Sequence, residues 1–318
     1  MHRVLGPLLI LIGVAAPARS QGLPAYRSVN PAIASRSALG FDPVSSGAPG
    51  WHTALRLDYG NVMEAQTRER ADYLLDAELI RLNFSLSRNV GRWHLSGALP
   101  IESGQSGALD SFINWWHGVF GFQEGRREGR PENEYEYFIE FPDSSRVTPP
   151  LPGTALGDLR LSAGFKHKAN WQTTFVAALP TNTRPDGWGL ETIAVGIETA
   201  ARVELVRDRL TWEGSAGLGY TPPAGDLAQW QQPWVASATA GARLRFLGRQ
   251  SIYTNFLFHT GPWQSTTLSA LGGPDFALDF GFLLKPGDGG PEILAGMVED
   301  LYPYGPAVDL VLRLGVRW

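Results

Sequence analysis

The last eleven residues, VDLVLRLGVRW at 308–318, place apolar side chains at every second position. A period of two indicates a β-strand with one apolar face and one partly polar face. A tilted strand of about nine to eleven residues is long enough to cross a bilayer. The pattern therefore predicts a strand that faces lipid on one side and a polar interior on the other. The apolar face carries Val308, Leu310, Leu312, Leu314, Val316 and Trp318, and the polar face carries Asp309, Arg313 and Arg317.

The same alternation recurs along the chain, for example in WHTALRLDY at 51–59, ELIRLNFSL at 78–86, DLRLSAGFK at 158–166 and DFALDFGFLLK at 275–285. After residue 20, no run of apolar residues is long enough for a membrane-spanning helix. An even number of strands suits a bacterial barrel. About 12 such segments begin near residues 51, 78, 92, 158, 171, 192, 210, 234, 251, 275, 292 and 308.

The connections between these segments alternate in length. Short ones are expected at 88–91, 167–170, 207–209, 248–250 and 286–290, and longer ones at 60–76, 100–156, 180–191, 221–233, 260–274 and 300–307. Short periplasmic turns that alternate with longer extracellular loops are typical of outer-membrane barrels.

Aromatic residues cluster at two levels of the predicted strands. Trp51, Trp93, Trp171, Trp212 and Trp318 fall at one rim, and Tyr59, Tyr220, Trp234, Phe258 and Phe276 fall at the other. Two aromatic belts mark the two interfaces of a membrane, whereas a soluble β-sandwich has no reason to separate tryptophan by strand end. We therefore predict an all-β, transmembrane, antiparallel up-and-down β-barrel of about 12 strands over residues 51–318, in the bacterial outer membrane.

The first 20 residues predict a cleavable signal peptide. A basic start is followed by an apolar run from Val4 to Ala16 and by small residues at Ala18 and Ser20. Its removal leaves 25 basic and 31 acidic side chains, a formal charge of −6, which argues against nucleic-acid binding. The chain has no cysteine, which excludes disulfides and thiolate metal sites. Residues 21–50 lack periodicity and are expected to form either a periplasmic leader or a plug in the lumen.

The polar faces of the strands place charges of both signs in the lumen. Two interpretations follow: opposite charges pair and close most of a narrow barrel, or an arginine-rich wall lines a channel for small, preferentially anionic solutes. The predicted lumen-lining residues are Arg56, Asp58, Arg81, Arg160, Lys166, Glu198, Arg202, Glu204, Glu213, Arg243, Arg245, Asp279 and Arg313.

An enzymatic alternative rests on two residues of the segment WHLSG at 93–97. His94 and Ser96 project from the same strand face, and this spacing resembles the His-x-Ser pair of outer-membrane lipases and deacylases. The strand phase turns both side chains into the lumen near the periplasmic rim, away from lipid substrate. We therefore expect no enzymatic activity, no catalytic residue and no cofactor.

The connection 100–156 contains a segment with helical spacing, DSFINWWHGVF at 110–120. Asp110 is the predicted N-cap, and Gly121 or Gly125 the predicted end. Three locations are open for its apolar face: the membrane interface, the barrel mouth, or a small core among the loops. After it, Glu132, Glu134 and Glu136 are expected on the solvated face of a hairpin, with calcium ligation as the alternative and no metal as the preferred interpretation.

The helical segment also carries a resemblance to a known family. LDSFINWWHGVFGFQEGRREGRPENEYEY at 109–137, RSVNP at 27–31 and GDLRLSAGF at 157–165 resemble an uncharacterised bacterial outer-membrane barrel family, the domain of unknown function number 3187. The resemblance implies a secreted barrel and no particular activity. Its shared motif is carried by Asp110, Ser111, Phe112, Ile113, Trp115, Trp116, His117, Phe120, Arg126 and Arg127.

The expected partners follow from this location. Arg126, Arg127 and Arg130 are candidates for contact with lipopolysaccharide phosphates, because arginine presents a planar donor fork to such groups. A final strand that ends on Trp318 resembles the terminal signature of outer-membrane barrels, which the barrel-assembly machinery reads. The other expected partners are outer-membrane lipid and small solutes. The protein is expected to be a monomer.

Overall fold

The computed structural model describes residues 22–46, 48–68, 71–121, 131–264, 267–287, 290–302, 305–306 and 308–318. Within these residues twelve antiparallel strands form a closed barrel, because the first strand pairs with the last as well as with the second. The barrel strands are β1 (Gly50–Arg68), β2 (Ala71–Val90), β3 (Trp93–Gln105), β7 (Leu159–Lys168), β8 (Trp171–Leu179), β9 (Ala194–Val206), β10 (Leu210–Tyr220), β11 (Trp234–Leu247), β12 (Gln250–His259), β13 (Asp275–Leu284), β14 (Glu292–Asp300) and β15 (Leu310–Arg317).

The remaining elements are not part of the twelve-stranded ring. Strands β4 (Glu136–Glu140), β5 (Arg146–Val147) and β6 (Ala155–Leu156) extend the sheet within the long loop, where β4 pairs with β2 and β6 pairs with β3. The helices are α1 (Pro31–Ala34), α2 (Asp110–Phe120) and α3 (Ser269–Gly272), and a single 3-10 turn spans Ala228–Trp230. Among the described residues, no helix is long and apolar enough to cross a membrane. The predicted fold class and strand number are confirmed.

Strand alternation separates two kinds of surface. On β1, Asp58 is fully buried while Trp51 and Leu55 are exposed, so even positions of this strand point inward and odd positions point outward. The short connections lie at one end of the barrel, the turn end, where Trp51, Trp93, Trp171 and Trp212 are exposed. We call the opposite end the loop end, where Tyr220 stacks near Trp234 at 4.8 Å and Phe258 near Phe276 at 4.9 Å between ring centroids.

One predicted connection is wrong. Residues 60–76 were expected to form a loop, but β1 continues to Arg68 and β2 begins at Ala71, so this hairpin rises well beyond its neighbours. The extension is stabilised by a further partner, because β4 pairs with β2 over residues 72–76. Tyr73 and Leu75 are fully buried there. Their burial explains why the local sequence stays in β conformation past the membrane level.

The N-terminal segment lies inside the barrel. Residues 22–46 run from the turn end toward the loop end and return, forming a hairpin that we call the plug. Tyr26 and Phe41 form a two-way backbone bridge at 3.1 and 2.9 Å between its two arms. At its tip, Asn30 caps α1 by accepting a hydrogen bond from the backbone N–H of Ala32 at 2.9 Å.

Glycines on the inner wall leave room for the apolar side chains of the plug. A β-carbon added at Gly60 would lie 2.7 Å from a methyl group of Val29. At Gly196 it would lie 2.7 Å from Leu39, and at Gly241 2.7 Å from Leu23. These distances are shorter than van der Waals contact, so the plug and the glycine positions are sterically matched.

Filling one of these positions should displace the plug. We predict that Gly60→Val forces Val29 from its site and raises amide hydrogen exchange over residues 26–34, since overpacking of this kind costs about 1–3 kcal/mol. Exchange measured by mass spectrometry on the refolded protein tests this. Gly97→Val is the matched control, because a β-carbon there meets its nearest neighbour at an ordinary 3.5 Å. Addition of Val29→Ala should restore protection, and failure of the double variant to do so would contradict the steric explanation.

Candidate functional site: the plugged lumen

The plug is held by arginines of the wall through its backbone carbonyls. Arg313 donates to Asp58 at 3.2 Å and also to Asp279, so one guanidinium on β15 joins β1 and β13. Arg56 donates to the same Asp58 at 2.8 Å. Both arginines also donate to the carbonyl of Ala25, at 2.7 Å from Arg56 and 2.6 Å from Arg313. The charges are therefore paired, and their remaining donors fix the ascending arm of the plug.

A second cluster fixes the descending arm. Asp42 accepts from Arg27 of the plug at 2.7 Å and from Arg160 of β7 at 2.6 Å. Arg160 also donates to the carbonyl of Ala38 at 3.1 Å. Glu198 accepts the backbone N–H of Asp42 at 3.1 Å. One carboxylate of the plug thus bridges two guanidinium groups, one of them on the wall.

Burial alone would raise the pKa of Asp42, but Arg160 and Arg27 outweigh burial and hold this pKa below its usual range. The unfolded carboxyl has a pKa of about 3.9, so the stabilising contribution of Asp42 is complete above that pH. It is lost only as the pH falls through the lower pKa of the folded state. The ion pairs of Asp42 are therefore expected to remain intact at any moderately acidic pH.

A third group of contacts lies at the turn end. Glu213 accepts the N–H groups of Leu23 at 3.0 Å and of Val44 at 2.5 Å, which brings together the two arms of the plug. Its counter-charge is Arg202 at 3.2 Å. Arg317 donates to the carbonyl of Gly22 at 2.8 Å. Both ends of the plug are thus attached at the mouth of the barrel that carries the short turns.

The loop end is closed by residues that the sequence reasoning missed. Glu102 of β3 accepts from Arg81 at 2.5 Å and also from Arg184, and Arg184 reaches Asp158 at 3.2 Å. Asp158 in turn accepts the backbone N–H of Leu190 at 2.9 Å. Glu102 could have been identified from the sequence, because it is an acidic residue at the end of an apolar strand. Arg184 could not, because it lies in a loop without periodicity. We call Arg81, Glu102, Asp158 and Arg184 the loop-end cluster.

The remaining predicted lumen residues lie near the turn end. Lys166 is half-buried on β7, and Arg243 pairs with Glu292 at 2.9 Å. Glu204 and Arg245 line a recess of about 310 Å³ at the rim, together with Arg202 and Arg243. The recess is open to solvent and lies outside the plug. The structure therefore distributes the predicted charges over several paired clusters and does not gather them into one site.

A cavity of about 320 Å³ remains between the plug and one side of the wall. It is lined at the turn end by His52, Asn89 and Trp318, and toward the loop end by Glu102 and Arg184. Cavities of this size accommodate small-molecule ligands. The cavity therefore runs along most of the barrel between the turn end and the loop-end cluster.

Strands on one side of this cavity contribute a group of small uncharged polar side chains, while much of the remaining lining is apolar. Hydroxyl and amide groups come from inward positions of four neighbouring strands, β2, β3, β7 and β8. The arginines that border the cavity each contact a carboxylate, and Arg27 and Arg160 share Asp42. The uncharged polar lining residues of these strands are Asn83, Ser85, Ser87, Asn89, Ser96, Ser162, Gln172 and Thr174.

His94 and Ser96 lie in this cavity and do not contact each other as a base and nucleophile. Nδ1 of His94 lies 3.0 Å from Oδ1 of Asn89, and Oγ of Ser96 lies 2.6 Å from Oγ of Ser162. A serine nucleophile requires a base within hydrogen-bond reach of its hydroxyl. The observed partner is another hydroxyl group, which does not activate Ser96.

Helix α2 differs from the prediction at its start. Leu109 occupies the N-cap without a side-chain hydrogen bond, and Asp110 is the first helical residue, so the predicted capping role of Asp110 is wrong. Gly121 ends the helix in a left-handed conformation with φ of 71°. Ile113 and His117 are buried, whereas the aromatic motif residues Phe112, Trp115 and Phe120 are exposed. Arg126, Arg127 and Arg130 lie outside the described residues.

The acidic run after α2 also differs from the prediction. Strand β4 begins only at Glu136, and Glu132 instead accepts hydrogen bonds from Ser111 at 2.7 Å and Asn114 at 2.9 Å. Glu134 is exposed. Within the part of the chain that the structure describes, no group of three acidic or histidine side chains has an arrangement suited to a metal ion.

The arrangement of a twelve-stranded barrel with a long, helix-bearing loop agrees with the family match, which spans residues 10–318. The chain belongs to the DUF3187 family of proteins of unknown function. None of the curated proteins matches this DUF3187 chain.

The chain is similar to solved structures of outer-membrane proteins. The COG4313 outer membrane channel from Pseudomonas putida F1 is similar with a TM-score of 0.56 at 13% identity, over 87% of this chain and 98% of that one. A Pseudomonas aeruginosa FadL homologue gives a TM-score of 0.40 at 10% identity, over 94% and 99% of the two chains. The toluene transporter TbuX of Ralstonia pickettii gives 0.39 at 9% identity, over 87% and 91%. The first of these shows the shared fold.

Removal of one charge in this DUF3187 protein tests the plug. We predict that Asp42→Asn removes the carboxylate that Arg27 and Arg160 share and releases the descending arm, because breaking a buried ion pair costs about 3–5 kcal/mol. Amide exchange over residues 38–46 should then accelerate on the order of 100-fold, since about 1.4 kcal/mol corresponds to tenfold. Asp143→Asn, in an exposed loop turn, is the control. Unchanged exchange in the Asp42 variant would show that the plug does not depend on this cluster.

Proposed function

We propose that this protein is a narrow outer-membrane channel for small solutes, exported through the signal peptide predicted at residues 1–20 and closed at rest by its N-terminal plug. The observation that carries the proposal is the cavity of about 320 Å³ between the plug and strands β1–β3, β7 and β8. A barrel with a purely structural role has no need of a continuous cavity beside a tightly packed plug. The turn end is the periplasmic end, in keeping with the short turns of bacterial barrels.

Two barriers lie along the proposed path. The first is the plug itself, whose two arms occupy the centre of the barrel and border the cavity over much of its length. The second is the loop-end cluster, where Arg184 joins Glu102 and Asp158 above the cavity. Conduction therefore requires displacement of the Arg184 side chain, of the plug, or of both.

The favoured solutes are uncharged and polar. An arginine-rich wall alone favours anions, but Arg27, Arg56, Arg81 and Arg160 all have carboxylate partners at 2.5–2.8 Å. Pairing cancels most of their field at the distance of a solute, and hydroxyl and amide groups of the wall remain as hydrogen-bonding partners. Small polyols match this surface in size and chemistry. The fold shared with the Pseudomonas putida channel supports a transport function but does not identify the solute.

Conductance and flux together test the proposal. We predict low, intermittent single-channel current for the refolded chain in planar bilayers, and a steady current several-fold larger for Asp42→Asn and for a variant that lacks residues 22–46. The larger currents should show little preference between cations and anions. In proteoliposome swelling assays, erythritol should enter faster than lactate, which is of similar size but charged.

Folding of each variant is verified first by heat-modifiable migration in gels, which reports a closed barrel. Arg207→Gln, an exposed turn-end substitution, serves as the matched control and should leave the current unchanged. Silence of the folded plug-deleted variant would exclude a channel. Strong anion selectivity would retain the channel and overturn the assignment of uncharged solutes.

A further inference from the structure

Helix α2 lies against the outside of the barrel wall. On β1, Asp58 points into the lumen, so Asn61, three residues later, is on the opposite face. In the sheet register Asn61 is opposite Glu78 on β2 and Leu310 on β15, and Leu310 is opposite Glu299 on β14. These side chains therefore share the outward face. All four are nevertheless 3% exposed or less, because the wall is covered there.

The helix is attached to this outward face by polar contacts. Asn61 donates to Asp110 at 2.8 Å, and Nε2 of His117 lies 3.3 Å from Glu299. Glu78 accepts the backbone N–H of Ala108 at 2.8 Å and that of Leu109. The N-cap residue has no capping side chain, but Glu78 binds the backbone N–H groups immediately before the first helical residue and so places a carboxylate near the positive end of the helix. We call Asn61, Glu78 and Glu299 the outer-wall dock.

The helix presents three distinct sides. The side with Asp110, Ile113 and His117 is buried against the barrel. Ser111 and Asn114 lie on a second side and hold Glu132. The third side is apolar and exposed, with Val119 57% and Trp115 58% accessible. Along this side Phe112, Trp115, Trp116 and Phe120 form consecutive ring contacts of 4.2–6.4 Å between centroids.

The exposed apolar side is continuous with the lipid-facing surface of the barrel. Glu299 is opposite Leu278 in the sheet register, two residues from Phe276 in the loop-end aromatic belt. Tyr59, another member of that belt, donates a hydrogen bond to Glu78 of the dock. Helix α2 therefore lies at the level of the outer membrane interface. A helix with one apolar aromatic side and one polar side is suited to lie in that plane.

We infer that α2 is a membrane-contact element whose Phe112–Phe120 side is inserted among the acyl chains of the outer leaflet, just below the head groups. Its occupant is the lipid of the membrane in which the barrel stands. The inserted side enlarges the apolar belt of the barrel on β14, β15, β1 and β2. The helix also shields the outer-wall dock, whose carboxylates would otherwise face the lipid directly. The Ser111 side, with Glu132, faces water.

Because the chain has no cysteine, single labels placed on the two sides of the helix report their surroundings without interference. We would attach a nitrobenzoxadiazole fluorophore to Val119→Cys and, as the matched control on the same helix, to Ser111→Cys. The full-length protein is reconstituted in phosphatidylcholine vesicles that contain a lipid with a nitroxide near the glycerol end of one chain. The nitroxide should quench the label at 119 at least threefold more strongly than the label at 111, and aqueous iodide should quench them in the reverse order.

Equal accessibility of both labels to iodide, with no nitroxide quenching at 119, would overturn the inference. Glu78→Gln tests the attachment, because it removes the wall charge from the helix N-terminus and leaves the strand intact. Nitroxide quenching at 119 should then fall at least twofold, whereas Asp143→Asn should leave it unchanged. Full quenching in the Glu78 variant would show that the dock does not position the helix. The readout requires no conduction, so failure of the channel proposal does not affect it.

Discussion

The pairing of buried charge inside the barrel is the constraint on which the rest of the structure depends. Closure of twelve strands turns ionisable side chains away from bulk water, and each must find a partner within the lumen. Arg313 illustrates the solution, since it is fully buried and contacts Asp58, Asp279 and the carbonyl of Ala25. The backbone carbonyls of the plug thereby accept hydrogen bonds from arginine N–H groups that do not bind a carboxylate. Plug and wall are consequently one hydrogen-bonded system.

The apolar side chains of the plug also fit the wall sterically. Inward glycines at positions 60, 196 and 241 receive Val29, Leu39 and Leu23, so the plug contributes the side chains that the wall omits. The empty space is therefore concentrated in one cavity beside β2, β3, β7 and β8. There several inward residues are short, among them Ser85, Ser87, Ser96 and Ser162, and a gap remains that the plug does not fill.

The barrel was predictable from sequence because strand alternation and aromatic position are local signals. The twelve strands and the short turns follow from them. The placement of residues 22–46 was left open, because its partners lie up to about 295 positions away, as with Gly22 and Arg317. The rise of β1 and β2 to Arg68 and Ala71 was missed for a related reason, since it depends on pairing with β4. For α2 the spacing gave the helix but not its orientation, which is set by Glu78 and Glu299 on distant strands.

The two arms of the plug have a topological consequence. Gly22 and Gly50 both lie at the turn end, so the intervening chain is a loop that enters and leaves by the same mouth. Among the residues that the structure describes, no barrel segment passes between the arms and the wall, so no threading is needed to insert or withdraw them. The seam between β1 and β15 can therefore close before the lumen is filled. The barrel can therefore assemble in the membrane before the plug enters the lumen. The plug can also leave again without separation of β1 from β15.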